Sequence, residues 1–148
     1  MYLYPFILHS HSILRWVALL FLVIAIVNSL LGVIRKTSFT GTDLKMSLWA
    51  MVTFHLQVLL GIVLYFISPK VQFTAGMMKS DLLRFYTMEH VSLMLISIVL
   101  ITLGYLRAKK KIEKGHKQIL VFYVIALLLV LIAIPWPFRE IFGTNWIY

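Results

Sequence analysis

Four long apolar runs, separated by short charged segments, limit what this chain can fold into more than any other feature. A helix that spans a bilayer needs about 20 mainly apolar residues, and each run is long enough. Hydrophobic residues make up 61% of the chain and charged residues 13%, whereas globular proteins are about half apolar and about a quarter charged. The sequence therefore predicts an all-α, integral membrane four-helix up-down-up-down bundle, one domain over 1–148 with helices at about 6–34, 44–68, 85–106 and 118–134.

Turn and capping residues set the expected ends of these helices. No Lys or Arg precedes Arg15, so the first run is predicted to be a helix and not a signal peptide. Gly41 is expected to break the chain, Asp43 to act as the N-cap of the second helix, and Pro69 to end it. The segment MMKSDLLRF is amphipathic, which predicts a short helix lying in the membrane interface.

The basic residues are divided unequally between the two sides of the predicted bundle, and this indicates its orientation. Because cytoplasmic loops are enriched in Lys and Arg, the richer side is predicted to be cytoplasmic and both termini periplasmic, in a bacterial cytoplasmic (inner) membrane. No aromatic-interleaved basic surface accompanies the net charge of +9, so nucleic acid is not an expected partner. The richer side holds Arg35, Lys36, Lys45, Arg107, Lys109, Lys110, Lys111, Lys114 and Lys117, and the other side holds Arg15, Lys70, Lys79, Arg84 and Arg139.

The chain has no cysteine. Disulfides, iron–sulfur clusters, covalently attached c-type haem and cysteine nucleophiles are thereby excluded. No Ser/His/Asp triad or phosphate-binding glycine loop is present either. The sequence favours an electron carrier or a subunit of a complex over a stand-alone enzyme.

Two of the five histidines, His11 and His90, lie at the same expected depth. Each is five residues inside its helix, counted from Phe6 and Phe85, or roughly 7–8 Å from the same membrane surface. Small residues follow each histidine at heptad spacing, and such stripes allow close helix approach. The first and third helices of an up-down-up-down bundle are diagonal, so the imidazoles are predicted to face one another. The stripes contain Ala18, Ala25 and Gly32 after His11, and Ser97 and Gly104 after His90.

Two opposed imidazoles in an apolar bundle are the arrangement that holds a six-coordinate b-type haem. The predicted iron ligands are His11 and His90, and Arg15, one turn below His11, is a candidate partner for a haem propionate. The alternative is that both histidines are interfacial and bonded to Ser12, Ser92 or backbone.

The other ionisable groups allow further roles. His55 lies about 10 Å deeper than the level pair and is a candidate for a second haem, with His116 as its partner, or for a proton relay. Otherwise His116 is expected to be an ordinary residue of a solvated basic loop. Glu89 is expected to pair with Arg15 or Arg84, or to accept a proton from His90. A mixed histidine and carboxylate metal site is disfavoured, because di-iron bundles need Glu-x-x-His on two helices together with further glutamates, and this chain does not have that full set.

Four stretches of the chain resemble small bacterial four-span membrane proteins labelled cytochrome B, over nearly its whole length. They are LHSHSILRW, FHLQVLLGIVLYFISPKVQF, EHVSLMLISIVLITLG and HKQILVFYVIALLLVLIAIPWPFR. The resemblance implies a bundle that binds haem b through His11, His55, His90 and His116. The chain is also distantly similar to one four-helix half of haem A synthase, where histidines bind haem near the periplasmic face.

Together these features predict a membrane b-type cytochrome-like protein with one or two haem b groups near the periplasmic side. It would exchange electrons with quinone or with a periplasmic partner such as a cytochrome. The alternative function is a cofactor-free accessory or structural subunit that packs against other membrane subunits of a larger complex.

Overall fold

A computed structural model describes residues 3–139, and these form four long helices with no strand among them. All four are long and apolar enough to cross a membrane, so the predicted all-α architecture is confirmed. We call these helices the first to fourth spans. The ends of each differ from the predicted ends by a few residues. Their bounds are Leu3–Arg35, Gly41–Ile67, Asp81–Lys110 and Ile112–Ala133.

The second span begins at a capping box. Thr40 is the N-cap, and its hydroxyl accepts from the Asp43 amide while the Asp43 carboxylate accepts from the Thr40 amide. The predictions that Asp43 is the N-cap and that Gly41 breaks the chain are therefore wrong, because Gly41 is the first helical residue. The span ends at Ile67 with Ser68 as C-cap, so the predicted stop at Pro69 is confirmed.

The third span is composite. It consists of one α-turn at Asp81–Arg84, a π-helical segment at Phe85–Glu89 and an α-helix at His90–Lys110. Only a single 3₁₀ turn, Met77–Lys79, precedes it. The segment predicted as a short interfacial helix therefore forms one 3₁₀ turn and the first turn of the third span, because Ser80 caps the chain directly into that span by accepting from the Leu83 amide. Its position in the membrane interface stays a prediction.

Each span packs along two neighbours, and the first and third spans lie diagonally across the bundle. The predicted small-residue stripes face inward: Ala18, Ala25 and Ser97 are all buried, as are the glycines that end the stripes. We call the end formed by Leu3, Ile67, Asp81 and Ala133 the terminal end, and the end formed by Arg35, Gly41, Lys110 and Gly115 the basic end.

The orientation of the bundle remains a prediction, with a direct test. Nine of the 14 Lys and Arg lie at the basic end, in its connections and in the helix ends beside them, and the positive-inside bias retains such segments in the cytoplasm. Green fluorescent protein fused after Lys36 or Lys111 is expected to fluoresce, and alkaline phosphatase at those positions to be inactive. Fusions after Phe73, at the terminal end, should behave oppositely. Phosphatase activity at Lys36 and Lys111 would reverse the orientation.

Candidate functional site

His11 and His90 lie opposite one another near the terminal end. Their ring centroids are 6.5 Å apart and their ring planes are inclined at 67°. The two residues come from the diagonal first and third spans. The predicted juxtaposition of the two imidazoles is therefore confirmed.

A carbonyl at the end of the fourth span determines which nitrogen of the His90 ring carries the proton. Nδ1 of His90 lies 2.7 Å from the carbonyl oxygen of Ala133, the last residue of that helix. The last carbonyls of a helix lack partners within the helix, and a carbonyl can only accept. Nδ1 therefore carries the proton, and in the neutral ring Nε2 presents a lone pair.

The His11 ring has an unsatisfied nitrogen. Its Nδ1 is buried and has no hydrogen-bond partner in the part of the chain that the structure describes. The amide nitrogen of Gln57 donates to the backbone carbonyl of His11 over 2.8 Å, and the buried Oε1 of Gln57 also lacks a partner within residues 3–139. Buried polar atoms are normally hydrogen-bonded, so these two residues leave polar atoms of the cavity lining free to contact a bound group.

Both imidazoles line a cavity of about 380 Å³ whose walls are mainly apolar. Two cationic residues, Arg15 and Lys70, also line it, together with Tyr65 and Tyr86, and no Asp or Glu does so among the described residues. The Lys70 ammonium lies 4.9 Å from the centre of the Tyr86 ring, and burial lowers the pKa of Lys70. The cavity therefore combines an apolar interior with an excess of positive charge.

The charged groups beside the site form one of the three contacts expected of Glu89. Nε of Arg84 donates to Glu89 over 2.6 Å, and the same guanidinium contacts Asp81 at 2.8 Å. The predicted Arg84 pairing of Glu89 is thus confirmed. Arg15 instead lines the histidine cavity, with its guanidinium carbon 5.4 Å from the centre of the Trp16 ring.

His55 and His116 do not join this site. His55 is exposed on the outer surface of the second span, and its Nδ1 bonds to the Met51 carbonyl. His116 is buried near the basic end, where its ring packs on Gly32 and lies 5.0 Å from the centre of the Phe39 ring. The prediction of a solvated loop residue is therefore wrong for His116, since it belongs to the first turn of the helix Gly115–Ala133.

The cavity offers a bound group two imidazole side chains, those of His11 and His90. Residues 3–139 contain no group of three or more His, Cys, Asp or Glu side chains able to share one metal ion. No protein-family model, no curated protein and no solved structure matches this chain. What the cavity binds is therefore inferred from its own residues.

Proposed function

We propose that this chain is a b-type cytochrome of the bacterial inner membrane, in which His11 and His90 hold one haem near the periplasmic side. Haem supplies reversible one-electron chemistry when bound. The protein would exchange electrons with quinone or with a periplasmic redox partner.

The separation of the two imidazole rings carries this proposal. Imidazole–metal bonds in protein zinc sites are about 2.0–2.1 Å long, and adding the radius of each five-membered ring puts two opposed ligand rings about 6 to 6.5 Å apart. The measured separation of the His11 and His90 centroids is 6.5 Å. The gap between the rings therefore matches one metal ion.

The hydrogen bonds of the pair support the same function. Metal-binding histidines usually donate their other ring nitrogen to a carbonyl or carboxylate, which fixes the tautomer and orients the ring. The Ala133 carbonyl does this for His90. At His11, the buried Nδ1 has no partner in the described chain, so a bound group would find a ring nitrogen that no protein group occupies.

The walls of the cavity are also suited to binding haem. Haem combines a large apolar ring with two anionic propionates, and the cavity offers apolar surface with Arg15 and Lys70 and no carboxylate among its described lining. Arg15 and Lys70 would bind the propionates, and the apolar walls would exclude water. Positive charge beside the iron favours its reduced state, so these two residues would raise the midpoint potential.

Optical spectroscopy of the purified protein tests the proposal. Protein expressed with a haem supply and extracted in mild detergent is expected to be coloured, with a Soret band and about one haem per chain by the pyridine haemochrome assay. The reduced form should show the sharp bands of a six-coordinate low-spin b-type haem. A folded but colourless protein that also fails to take up added haemin would overturn the proposal and favour a cofactor-free accessory subunit.

A further inference from the structure

A groove lies on the outer, lipid-facing side of the bundle between the second and third spans. His55, Val58, Val99 and Thr102 line it, together with Leu59, Ile98 and Leu103. His55 is twelve residues from Ile67 and fourteen from Gly41, or about 18 and 21 Å along the helix axis. The groove is therefore near the middle of the membrane, where an exposed polar side chain is costly and usually functional.

Both polar side chains of the groove, His55 and Thr102, can only accept a hydrogen bond from a ligand. Nδ1 of His55 lies 2.8 Å from the Met51 carbonyl, so Nδ1 carries the proton, and Nε2 of the neutral ring presents a lone pair. No hydrogen bond to that Nε2 is formed within residues 3–139. The Thr102 hydroxyl donates to the Ile98 carbonyl over 2.7 Å, so its oxygen can also only accept. A ligand of this groove must bring its own hydrogen-bond donors.

The groove adjoins the histidine cavity. Val58 lines both the groove and the cavity that contains His11 and His90. His55 and Val58 are three residues apart on one helix and so share a face. A molecule in the groove would be separated from the cavity by the Val58 side chain.

We propose that this groove binds the headgroup of a membrane-soluble hydroquinone, with a hydroquinone hydroxyl donating to Nε2 of His55. A hydroquinone is flat and mainly apolar, reaches the groove through the lipid, and carries the O–H donors that His55 and Thr102 require. At about 380 Å³, the groove lies within the usual range for small-molecule sites, about 300–1,000 Å³. The choice of a redox-active lipid rests on the proposed function, since Val58 lines both the groove and the proposed haem cavity.

Photolabelling in lipid nanodiscs tests the site directly. The probe is a hydroquinone with a diazirine on its alkyl tail, and labelled peptides are mapped by mass spectrometry. Labelling is expected within residues 55–59 and 98–103 and should be displaced by excess decylubiquinol. The dimethyl ether of that hydroquinone, which has no O–H donor, should compete at least tenfold less well. Equal competition by the ether, or labels elsewhere, would overturn the proposal.

Variants of the histidine complete the experiment. His55→Leu keeps an apolar side chain but removes the acceptor, and it should lower displaceable labelling at least tenfold. His55→Gln keeps an acceptor oxygen and should restore part of it. His9→Leu is the matched control, because His9 is also an exposed histidine of the bundle but does not line the groove. Circular dichroism and gel filtration verify the fold of each variant.

Three outcomes distinguish the hydroquinone site from haem binding and from a dimer interface. A colourless protein that still labels at the groove would refute haem binding and leave the hydroquinone site standing, whereas a haem-containing protein without displaceable labelling would refute the site alone. If His55→Leu instead converts a dimer into a monomer in native mass spectrometry, with labelling unchanged, the groove is an interface between two copies and the proposal is wrong.

Discussion

Replacing His90 by alanine is expected to abolish the six-coordinate low-spin spectrum of the purified protein. The variant loses the imidazole that the Ala133 carbonyl orients and leaves His11 as the only histidine lining the cavity. Haem should then be lost or become five-coordinate and high-spin. His11→Ala should have the same effect, since the proposed site needs both imidazoles to hold the haem. Absorption and electron paramagnetic resonance spectra, with the haem content per chain, provide the measurement.

His9→Ala is the matched control for these variants. His9 lies two residues from His11 on the same helix, but it is exposed and does not line the cavity. Its removal should leave the spectrum and the haem content unchanged. If His11→Ala and His90→Ala both keep a six-coordinate spectrum, the ligand assignment is wrong.

Replacing Gly32 by alanine is expected to destabilise the bundle at its basic end. A Cβ at this position would overlap the His116 ring, and Phe39 packs edge-on against the same ring. Overpacking a core costs about 1–3 kcal/mol, which exceeds the helix-propensity gain of about 1 kcal/mol from glycine to alanine. The free energy of unfolding, measured by circular dichroism during titration with sodium dodecyl sulfate, should therefore fall.

Two further variants identify the cause of that loss. Gly41→Ala introduces the same methyl group where nothing lies within 4 Å, so the stability should stay unchanged or rise slightly. The double variant Gly32→Ala, His116→Ala removes the obstructing ring and should be more stable than the sum of the two single changes predicts. Strict additivity would show that the His116 ring does not restrict position 32.

The number of spans and the facing histidines were predictable because both follow from lengths along a helix. Apolar run length determines how many helices can cross a bilayer. Counting residues from Phe6 and Phe85 placed His11 and His90 at one depth, and the heptad spacing of small residues indicated the faces that turn inward. Run length and residue spacing can both be read along a single helix, and the structure agrees with the predictions made from them.

Other parts of the site depend on contacts between segments distant in sequence. His116 follows a run of lysines, which indicates a solvated loop, yet Gly32 on another helix leaves room to bury its ring. Lys70 lines the cavity from the connection that follows the second span, and no local pattern signals that placement. Gln57 and the Ala133 carbonyl act on the two histidines from other helices, so neither role could be predicted from neighbours in the sequence.

The π-helical segment Phe85–Glu89 bears on how this chain can change length during evolution. A π-turn holds one residue more than an α-turn, and each helical residue corresponds to a rotation of about 100°. Deleting one residue within 85–89 would convert the segment to an ordinary α-turn, so the Asp81–Arg84 turn would keep nearly its present rotation while His90 stays opposite His11. A deletion between His90 and Gly104 would instead rotate the ring away from its inward stripe. Length variation among descendants of this sequence should therefore concentrate on the loop side of His90.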